Sequence, residues 1–372
     1  MNIAENYSSN QLIINLSILL SQPTGISNYA HNIFPYLKSL KPTLLTPNNY
    51  PDFKCYSVPN NLTPAHGTKG HFIRLMWTQL QVPKIYHELK SHLLFSPLPE
   101  APLYTNCRFV VMSHDLIPLR FPKRFSPLTP YHRYYVPQVL QQAQHIICNS
   151  QATANDIIDF YQIPASKITP IPLAHDHLRW GVAHRNHFRY LNLPTRNYFL
   201  YIGRQDPYKN LHRLVAAFAA LPNNDEYELW LAGPTDKRYT PILQTQIAEL
   251  GITHQVKFLD YVAYSELPTI INQAIALVFP SLWEGFGFPV LEAMACGTPV
   301  ITSNLSSLPE VAGDAAILIN PYNTAEITAA MQTIAADLAL RLHFSTQGIA
   351  RANQFSWEKT GLATVEVLSR YL

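Results

Sequence analysis

The chain of 372 residues lacks the features that mark membrane-spanning, secreted and zinc-binding proteins. No apolar run approaches the ~18–20 residues that a membrane-spanning helix needs. Its four cysteines are scattered and form no C-x-x-C, so neither a zinc ribbon nor a redox pair is indicated. The first ten residues contain Glu5 and no basic residue, unlike a secretory signal peptide. A cytoplasmic protein with reduced thiols is therefore expected.

Charge is also scarce, at 14 % of residues, whereas apolar residues reach 47 % and can bury a sizeable core. At roughly one domain per 150 residues, the length predicts two or three domains. Residues 1–185 hold fifteen Lys and Arg against eight Asp and Glu, a balance of +7, and the remainder has a balance of −4. A basic front half suits a phosphorylated acceptor or an acidic membrane surface, although a solvated face explains it equally well.

Short apolar β-rich runs alternate with helical patterns, which is typical of parallel sheets covered by helices. The predicted strands are Leu12–Ser17, His92–Phe95, Phe109–Ser113, Ile146–Asn149, Tyr198–Ile202, Glu228–Ala232, Val256–Leu259, Ala276–Phe279, Val300–Thr302 and Ile317–Ile319. The predicted helices are Ile26–Leu40, Gln151–Tyr161, Leu211–Leu221, Pro241–Leu250, Pro289–Ala295 and Ala325–Ala336. This α/β pattern runs twice, interrupted by a linker-like segment at His175–Pro194. It predicts two facing doubly wound, Rossmann-like domains, residues 1–180 and 188–352, with a ligand cleft between them.

The strongest local signal is the string Glu284-Gly-Phe-Gly-Phe-Pro-Val-Leu-Glu292, which follows a predicted strand. Pro289 suits a first helical turn, so a strand, a glycine-containing loop and a helix are expected in that order. Backbone N–H groups at this helix start would attract a phosphate or a sugar hydroxyl. Both carboxylates can accept hydrogen bonds from vicinal hydroxyls. Either glutamate alone also fits a surface or first-turn acid, but the whole string favours ligand binding.

A second signal follows the first buried strand of the same half, in Tyr201-Ile-Gly-Arg204-Gln-Asp-Pro-Tyr-Lys209-Asn210. Arg204 offers a planar fork of donors and Lys209 a point charge. Together they can neutralise a diphosphate that gains charge when its sugar leaves. Taken alone, the two residues also fit a pair of solvated loop cations.

With both signals in place, the sequence resembles the retaining glycosyltransferases of the GT-B fold, in family 4, glycosyl transferases group 1. Glu284 and Glu292 match the family's paired glutamates, and Arg204 and Lys209 match its diphosphate-binding Arg and Lys. The similarity is close from Tyr198 to Tyr322 and thinner before it.

The resemblance implies roles for named residues. The implied catalytic residues are His114, Arg204, Lys209 and Glu284, and the implied donor-binding residues are Gly25, Arg204, Lys209, Gly285, Phe286, Gly287, Phe288 and Glu292. Glu284 would contact the transferred sugar, Glu292 the ribose, and His114 the region of the anomeric carbon. Gly25 lies in a first loop with fewer glycines than is usual, and Asp260 stands where a glycine is usual near the base.

The activity that this resemblance implies is retaining transfer of a hexose from a nucleotide-diphosphate sugar to a saccharide or lipid-linked saccharide acceptor. Cell-envelope polysaccharide synthesis is the implied setting, with no cofactor beyond the nucleotide-sugar co-substrate and no nucleic acid as partner. No D-x-D occurs, so no metal is expected, and His175-Asp-His177 has no third spaced ligand. A catalytically silent binding or regulatory subunit, a sugar-nucleotide epimerase and a phosphorylase on the same fold remain as alternatives.

Two basic and aromatic stretches in the front half fit peripheral contact with the inner face of a membrane or with a lipid-linked acceptor. In the first, Lys69, Arg74, Lys84 and Lys90 bracket Phe72, Trp77 and Tyr86; the second is Arg120-Phe-Pro-Lys123-Arg124-Phe. Surface packing explains both stretches as well. A final helix within residues 353–372 is expected to cross back to the first domain, with an apolar face formed by Trp357, Leu362, Val365, Val367, Leu368 and Tyr371.

Overall fold

The computed structural model describes residues 12–19, 25–63, 67–176, 197–263 and 265–372. The chain divides into two compact units. The first unit runs up to Leu173 and includes Trp357–Leu372, and the second unit is Ala174–Ser356. Most of the predicted linker, including His177, lies outside the described residues.

The first unit is built on a parallel sheet with the strand order β3-β2-β1-β4-β5-β6-β7. Its strands are β1 (Leu12–Asn15), β2 (Thr43–Thr46), β3 (Lys54–Ser57), β4 (Leu93–Ser96), β5 (Phe109–Ser113), β6 (His145–Cys148) and β7 (Ile168–Pro170). Its helices are α1 (Gly25–Ile33), α2 (Gly67–Leu80), α3 (Val82–Glu88), α4 (Ile117–Arg120), α5 (Leu128–Pro130), α6 (Val136–Gln142) and α7 (Gln151–Tyr161).

The second unit repeats the arrangement, with the parallel order β10-β9-β8-β11-β12-β13. Its strands are β8 (Asn197–Ile202), β9 (Tyr227–Ala232), β10 (Val256–Asp260), β11 (Ala276–Phe279), β12 (Val300–Ser303) and β13 (Ile317–Ile319). Its helices are α8 (Leu211–Ala219), α9 (Thr240–Glu249), α10 (Leu267–Gln273), α11 (Phe288–Ala295), α12 (Leu308–Ala312), α13 (Thr324–Ala336) and α14 (Leu338–Ala352).

Both sheets reverse their strand order at the centre, which confirms the doubly wound α/β prediction. The reversal falls between β1 and β4 in the first unit and between β8 and β11 in the second. Loops that follow the two strands at such a switch point diverge and leave a crevice at the carboxyl edge of the sheet. The strings containing Arg204 and Glu284 follow β8 and β11 and therefore lie at the switch point of the second sheet.

The last helix, α15 (Trp357–Ser369), packs within the first unit, against α1 and the 3₁₀ helix Phe34–Leu40. Gly361 permits this close packing, since a Cβ there would lie 2.4 Å from the Cβ of Tyr36. Trp357, Val367 and Leu368 are buried as predicted, but the assignment of Leu362 to the apolar face is wrong, because its side chain is 57 % exposed.

One predicted helix, Ile26–Leu40, is divided in the structure. The α-helix ends at Ile33 and a 3₁₀ helix follows over Phe34–Leu40. Pro35 explains the change, because it has no N–H to continue the ladder of α-helical hydrogen bonds. Among the described ranges, no helix has both the length and the apolar character needed to span a bilayer.

Candidate active site

A close ion pair joins the two strings that the sequence singled out. Lys209 Nζ lies 2.5 Å from Glu284 Oε1, although the two residues are 75 positions apart. The side chains are only 12 % and 11 % exposed, so water screens the pair weakly. Two of the predicted catalytic residues are therefore in direct contact at the switch point of the second sheet.

Aromatic rings hold the Lys209 ammonium in place. Its Nζ lies 5.2 Å from the ring centroid of Tyr208 and 5.3 Å from that of Phe279, the last residue of β11. Cation–π contacts of this length add to the attraction of the carboxylate. The charge is consequently positioned before any substrate phosphate competes for it.

Asn210 fixes the loop that carries Lys209, and sequence reasoning assigned it no role. Its backbone is left-handed, with φ of +65°, and its side chain is fully buried. Its amide nitrogen donates to the carbonyls of Pro280, at 3.1 Å, and Pro321, at 2.7 Å, which follow β11 and β13. Asparagine tolerates this backbone conformation better than most residues do. The asparagine at the start of the predicted helix was therefore the one sequence feature that could have indicated this structural role.

Two serines hold the loop that carries Glu284. The Glu284 N–H donates to Ser306 Oγ at 3.0 Å, and Ser307 Oγ lies 3.0 Å from the Glu284 carbonyl oxygen and 2.9 Å from that of Phe286. Gly287 has φ of +105°, and a Cβ there would lie 2.8 Å from Leu308 Cδ2. The loop therefore requires glycine at this position and is anchored on both sides of Gly285.

Of the two aromatic residues in this string, Phe286 is buried and contacts Phe288 and Phe355 edge-to-face. Phe288 begins α11, and the N-cap residue before it, Gly287, has no side chain that could cap the helix. Glu292 lies half-buried on the same helix. Burial, reinforced by the charge of Glu292, raises the pKa of the Cys296 thiol to about 12, so that thiol stays protonated and inert.

Arg204 occupies a different position from Lys209. Its side chain is 68 % exposed, and its Nε lies 3.3 Å from Asp206 Oδ2. Tyr201 Oη donates to the Arg204 carbonyl at 2.7 Å, which holds the backbone of the loop. The guanidinium is therefore largely exposed to solvent and paired with one carboxylate, in contrast to the buried ammonium of Lys209.

An apolar cavity of about 210 Å³ opens beside Arg204, at the carboxyl ends of β8 and β9. Gly203 and Gly233 both line it, and their backbones pack closely, since a Cβ on Gly233 would lie 2.1 Å from the Gly203 carbonyl oxygen. The cavity is lined by Ile202, Gly203, Arg204, Ala232, Gly233, Pro234, Tyr261, Val262 and Leu267. Its size and apolar walls suit a planar ring such as a nucleotide base.

His114 and Gly25 belong to the first unit. His114 follows β5, and its Nε2 lies 2.8 Å from the Pro97 carbonyl oxygen, which follows β4. A carbonyl can only accept, so the hydrogen is assigned to Nε2 and Nδ1 is left as an acceptor in the neutral ring. Burial lowers the pKa of His114 to about 4, although the hydrogen bond to Pro97 opposes this. Gly25 is the first residue of α1, and a Cβ there would meet no atom within 4 Å.

The described part of the chain contains no group of three or more His, Cys, Asp or Glu side chains arranged to hold a metal ion. His175 is described and buried, whereas its predicted companion His177 is not among the described residues.

We expect His114 to remain neutral between pH 8 and pH 5. Its pKa of about 4 lies below the ordinary 6.5, so on acidification through that window the unfolded chain binds a proton that the folded chain does not. The contribution of His114 to stability is therefore lost as pH falls from about 6.5 towards 4. Two-bond ¹H–¹⁵N spectra, assigned with His114→Gln, should show the Nε2–H tautomer; a midpoint near pH 6.5 would contradict the expectation.

The sequence of this chain is similar to those of known glycosyltransferases. Residues 183–351 match the family described as "Glycosyl transferases group 1", and residues 23–179 match "Glycosyltransferase Family 4". The O-antigen chain mannosyltransferase B of Escherichia coli is 34 % identical over 232 residues, covering 61 % of this chain and 60 % of that protein. The O-antigen chain mannosyltransferase RfbU of Salmonella typhimurium is 27 % identical over 337 residues, covering 87 % of this chain and 90 % of that protein.

Solved structures share the fold along nearly the whole chain. Sucrose-phosphate synthase from Thermosynechococcus elongatus superposes with a TM-score of 0.75 at 20 % identity, covering 97 % of this chain and 98 % of that one. Anabaena HepE, solved with UDP and glucose, gives a TM-score of 0.72 at 19 % identity, covering 97 % of this chain and 100 % of that one. The two family matches, the mannosyltransferase relatives and the shared architecture together show that this chain belongs to the family 4 glycosyltransferases of the GT-B fold.

Proposed function

We propose that this protein is a retaining hexosyltransferase that transfers mannose from a nucleotide-diphosphate sugar to a saccharide or lipid-linked saccharide acceptor in cell-envelope polysaccharide synthesis. The observation that carries the proposal is the Lys209–Glu284 pair at the switch point of the second sheet. An apolar cavity lined in part by Arg204 lies at the carboxyl edge of the same sheet. Mannose and the envelope setting are supported by the names of the relatives, which are O-antigen chain mannosyltransferases.

The donor is proposed to lie across the carboxyl edge of the second sheet. The base would enter the apolar cavity, where Tyr261 and Leu267 offer flat apolar surface. Arg204 at the rim of the cavity and Lys209 beyond it would then meet the diphosphate, and the carboxylate of Glu292 would accept hydrogen bonds from the ribose hydroxyls. Glu284 would receive the hydroxyls of the transferred sugar.

The proposed reaction breaks the bond between the anomeric carbon and the phosphate oxygen and forms one between that carbon and the acceptor oxygen. The electron pair of the broken bond stays on the phosphate, where Arg204 and Lys209 stabilise the added negative charge. The acceptor proton moves to the departing phosphate, so attack occurs on the face from which the phosphate leaves and configuration is retained. His114, neutral at physiological pH, would accept a hydrogen bond at Nδ1 from a hydroxyl group of the sugar.

The first unit also presents a surface that fits peripheral contact with an anionic membrane. Phe72, Met76 and Leu80 lie four residues apart on α2 and are exposed, Phe72 by 63 %. The sequence analysis placed Arg74, Trp77 and Tyr86 on the same membrane-facing surface as Phe72. That assignment is wrong for Arg74, Trp77 and Tyr86, because their side chains are buried. Arg74 points inward because it forms a bidentate ion pair with the buried Glu100, at 2.7 and 2.8 Å.

Charge complementarity favours a lipid surface over another apolar partner. Residues 53–87 and 116–155 contain no Asp or Glu, but they contain the exposed cations Lys69, Lys84 and Arg124. The second segment adds Phe125, which is 90 % exposed, and Arg124 lies over its ring. Apolar side chains flanked by cations are the pattern of interfacial membrane contact.

The donor assignment predicts a specific pattern of activity across a panel of UDP-, GDP-, ADP- and TDP-sugars. Transfer or slow donor hydrolysis is expected with a mannose donor, and Arg204→Ala or Lys209→Ala should lower kcat/KM about 10- to 100-fold, the scale of a charged hydrogen bond. Arg370→Ala, which removes an exposed arginine of the first unit, serves as the control. Wild-type rates in both variants would refute the diphosphate assignment, and inactivity with every donor would favour a silent binding subunit.

The stereochemical assignment is tested on the product. Proton NMR of the saccharide formed from an α-linked donor should show an α linkage, because the acceptor attacks the face that the phosphate vacates. The same reaction in EDTA should proceed at an unchanged rate, since Arg204 and Lys209 are expected to supply the positive charge. A β-linked product would overturn the retaining mechanism, and loss of activity in EDTA would overturn the metal-free one.

Membrane contact is tested by sedimentation of the full chain with vesicles of phosphatidylcholine, with and without phosphatidylglycerol. Binding should require the anionic lipid and should weaken by at least about tenfold in Phe72→Ser/Met76→Ser, since burial of these side chains drives it. Leu338→Ser/Leu342→Ser on α14 is the matched control, because those residues are also exposed and four positions apart. Equal loss in both variants, or no binding by the wild type, would contradict the assignment.

A further inference from the structure

Lys209 has a carboxylate partner of its own at the place where the proposed function requires it to meet a phosphate. Lys209 Nζ and Glu284 Oε1 are in direct contact, 2.5 Å apart, and form a charge-assisted hydrogen bond. A phosphate that approaches Lys209 must therefore share the ammonium with Glu284 or displace that carboxylate.

The structure fixes the two backbone segments from which the side chains of Lys209 and Glu284 extend. The Lys209 loop is tied to the ends of β11 and β13 through Asn210, and the Glu284 loop is tied to Ser306 and Ser307. Tyr208 and Phe279 flank the ammonium. Glu284 consequently stays close to any phosphate bound by Lys209, and two negative charges close together in a weakly hydrated site repel each other.

The donor and the nucleotide product differ in what they offer this carboxylate. A bound nucleotide sugar brings hydroxyl donors that can replace Lys209 as partners of Glu284, so both members of the pair remain satisfied. A nucleoside diphosphate brings no sugar hydroxyl there and carries an additional ionisable phosphate oxygen. Within the part of the chain that the structure describes, the side-chain partner recorded for the Glu284 carboxylate is then Lys209.

We propose that Glu284, beyond contacting the sugar, promotes release of the nucleoside diphosphate by competing with it for Lys209. This inference rests on the proposed function, since it concerns the product of that reaction. Glu284 thus makes the site bind the intact donor in preference to the spent nucleotide. Product release limits turnover in many enzymes, so such competition gives a direct benefit to the rate.

The competition predicts opposite effects of one substitution on two measurements. Glu284→Gln keeps the shape of the side chain but removes its charge. It should bind the nucleoside diphosphate about tenfold more tightly by calorimetry, the scale of one charge-assisted hydrogen bond, while kcat for sugar transfer falls. A role confined to sugar contact or to folding would lower kcat without tightening nucleotide binding. Glu249→Gln, which removes an exposed carboxylate at the end of α9, should leave nucleotide affinity unchanged.

Two further arms make the result decisive. Glu284→Asp keeps the charge on a shorter side chain, so its nucleotide affinity should lie between those of the wild type and Glu284→Gln, and it serves if the Gln variant does not fold. Equal or weaker nucleotide binding by the neutral variant would overturn product release while leaving the transferase proposal intact. If the wild type binds none of the UDP, GDP, ADP and TDP series and transfers no sugar, the proposed function itself fails and this inference falls with it.

Discussion

The ion pair between Lys209 and Glu284 connects the two loops on which the candidate site depends. Each partner is largely buried, so removing one leaves a charge that the second unit cannot solvate, a situation that typically costs about 3–5 kcal/mol. The pair therefore couples two segments that are remote in the sequence, and the position of each depends on the other. Asn210, Ser306 and Ser307 reinforce this coupling through the backbone of the two loops.

The first unit uses a buried polar contact in a comparable way. The loop after β4 contains Glu100, which is fully buried and paired with Arg74 of α2, and Tyr131 donates to the same carboxylate at 3.3 Å. Three residues earlier in that loop, the carbonyl of Pro97 accepts the hydrogen bond that fixes the tautomer of His114. In both units, the residues assigned to chemistry are thus held by contacts at the carboxyl edge of a central strand, where the strand order reverses.

Sequence patterns predicted all six strands of the second sheet and four of the seven strands of the first. The sequence analysis missed β2, β3 and β7, and β3 and β7 lie at the two edges of the first sheet. β3 and β7 are only partly buried, and their sequences lack the continuous apolar run that marks a central parallel strand. The edge position also explains how β7 accommodates Pro170, which would interrupt hydrogen bonding inside a sheet.

The sequence by itself determined the doubly wound fold, the strand-loop-helix setting of Glu284 and Glu292, and the loop that bears Arg204 and Lys209. These features depend on local periodicity and on proline and glycine at defined positions, which a single chain segment encodes. Only the tertiary structure decided that Lys209 contacts Glu284 while Arg204 stays exposed, and that Arg74 is buried beneath an exposed apolar face of α2. Such contacts depend on strand order and on partners 26 or 75 residues away, and local periodicity carries no information about either.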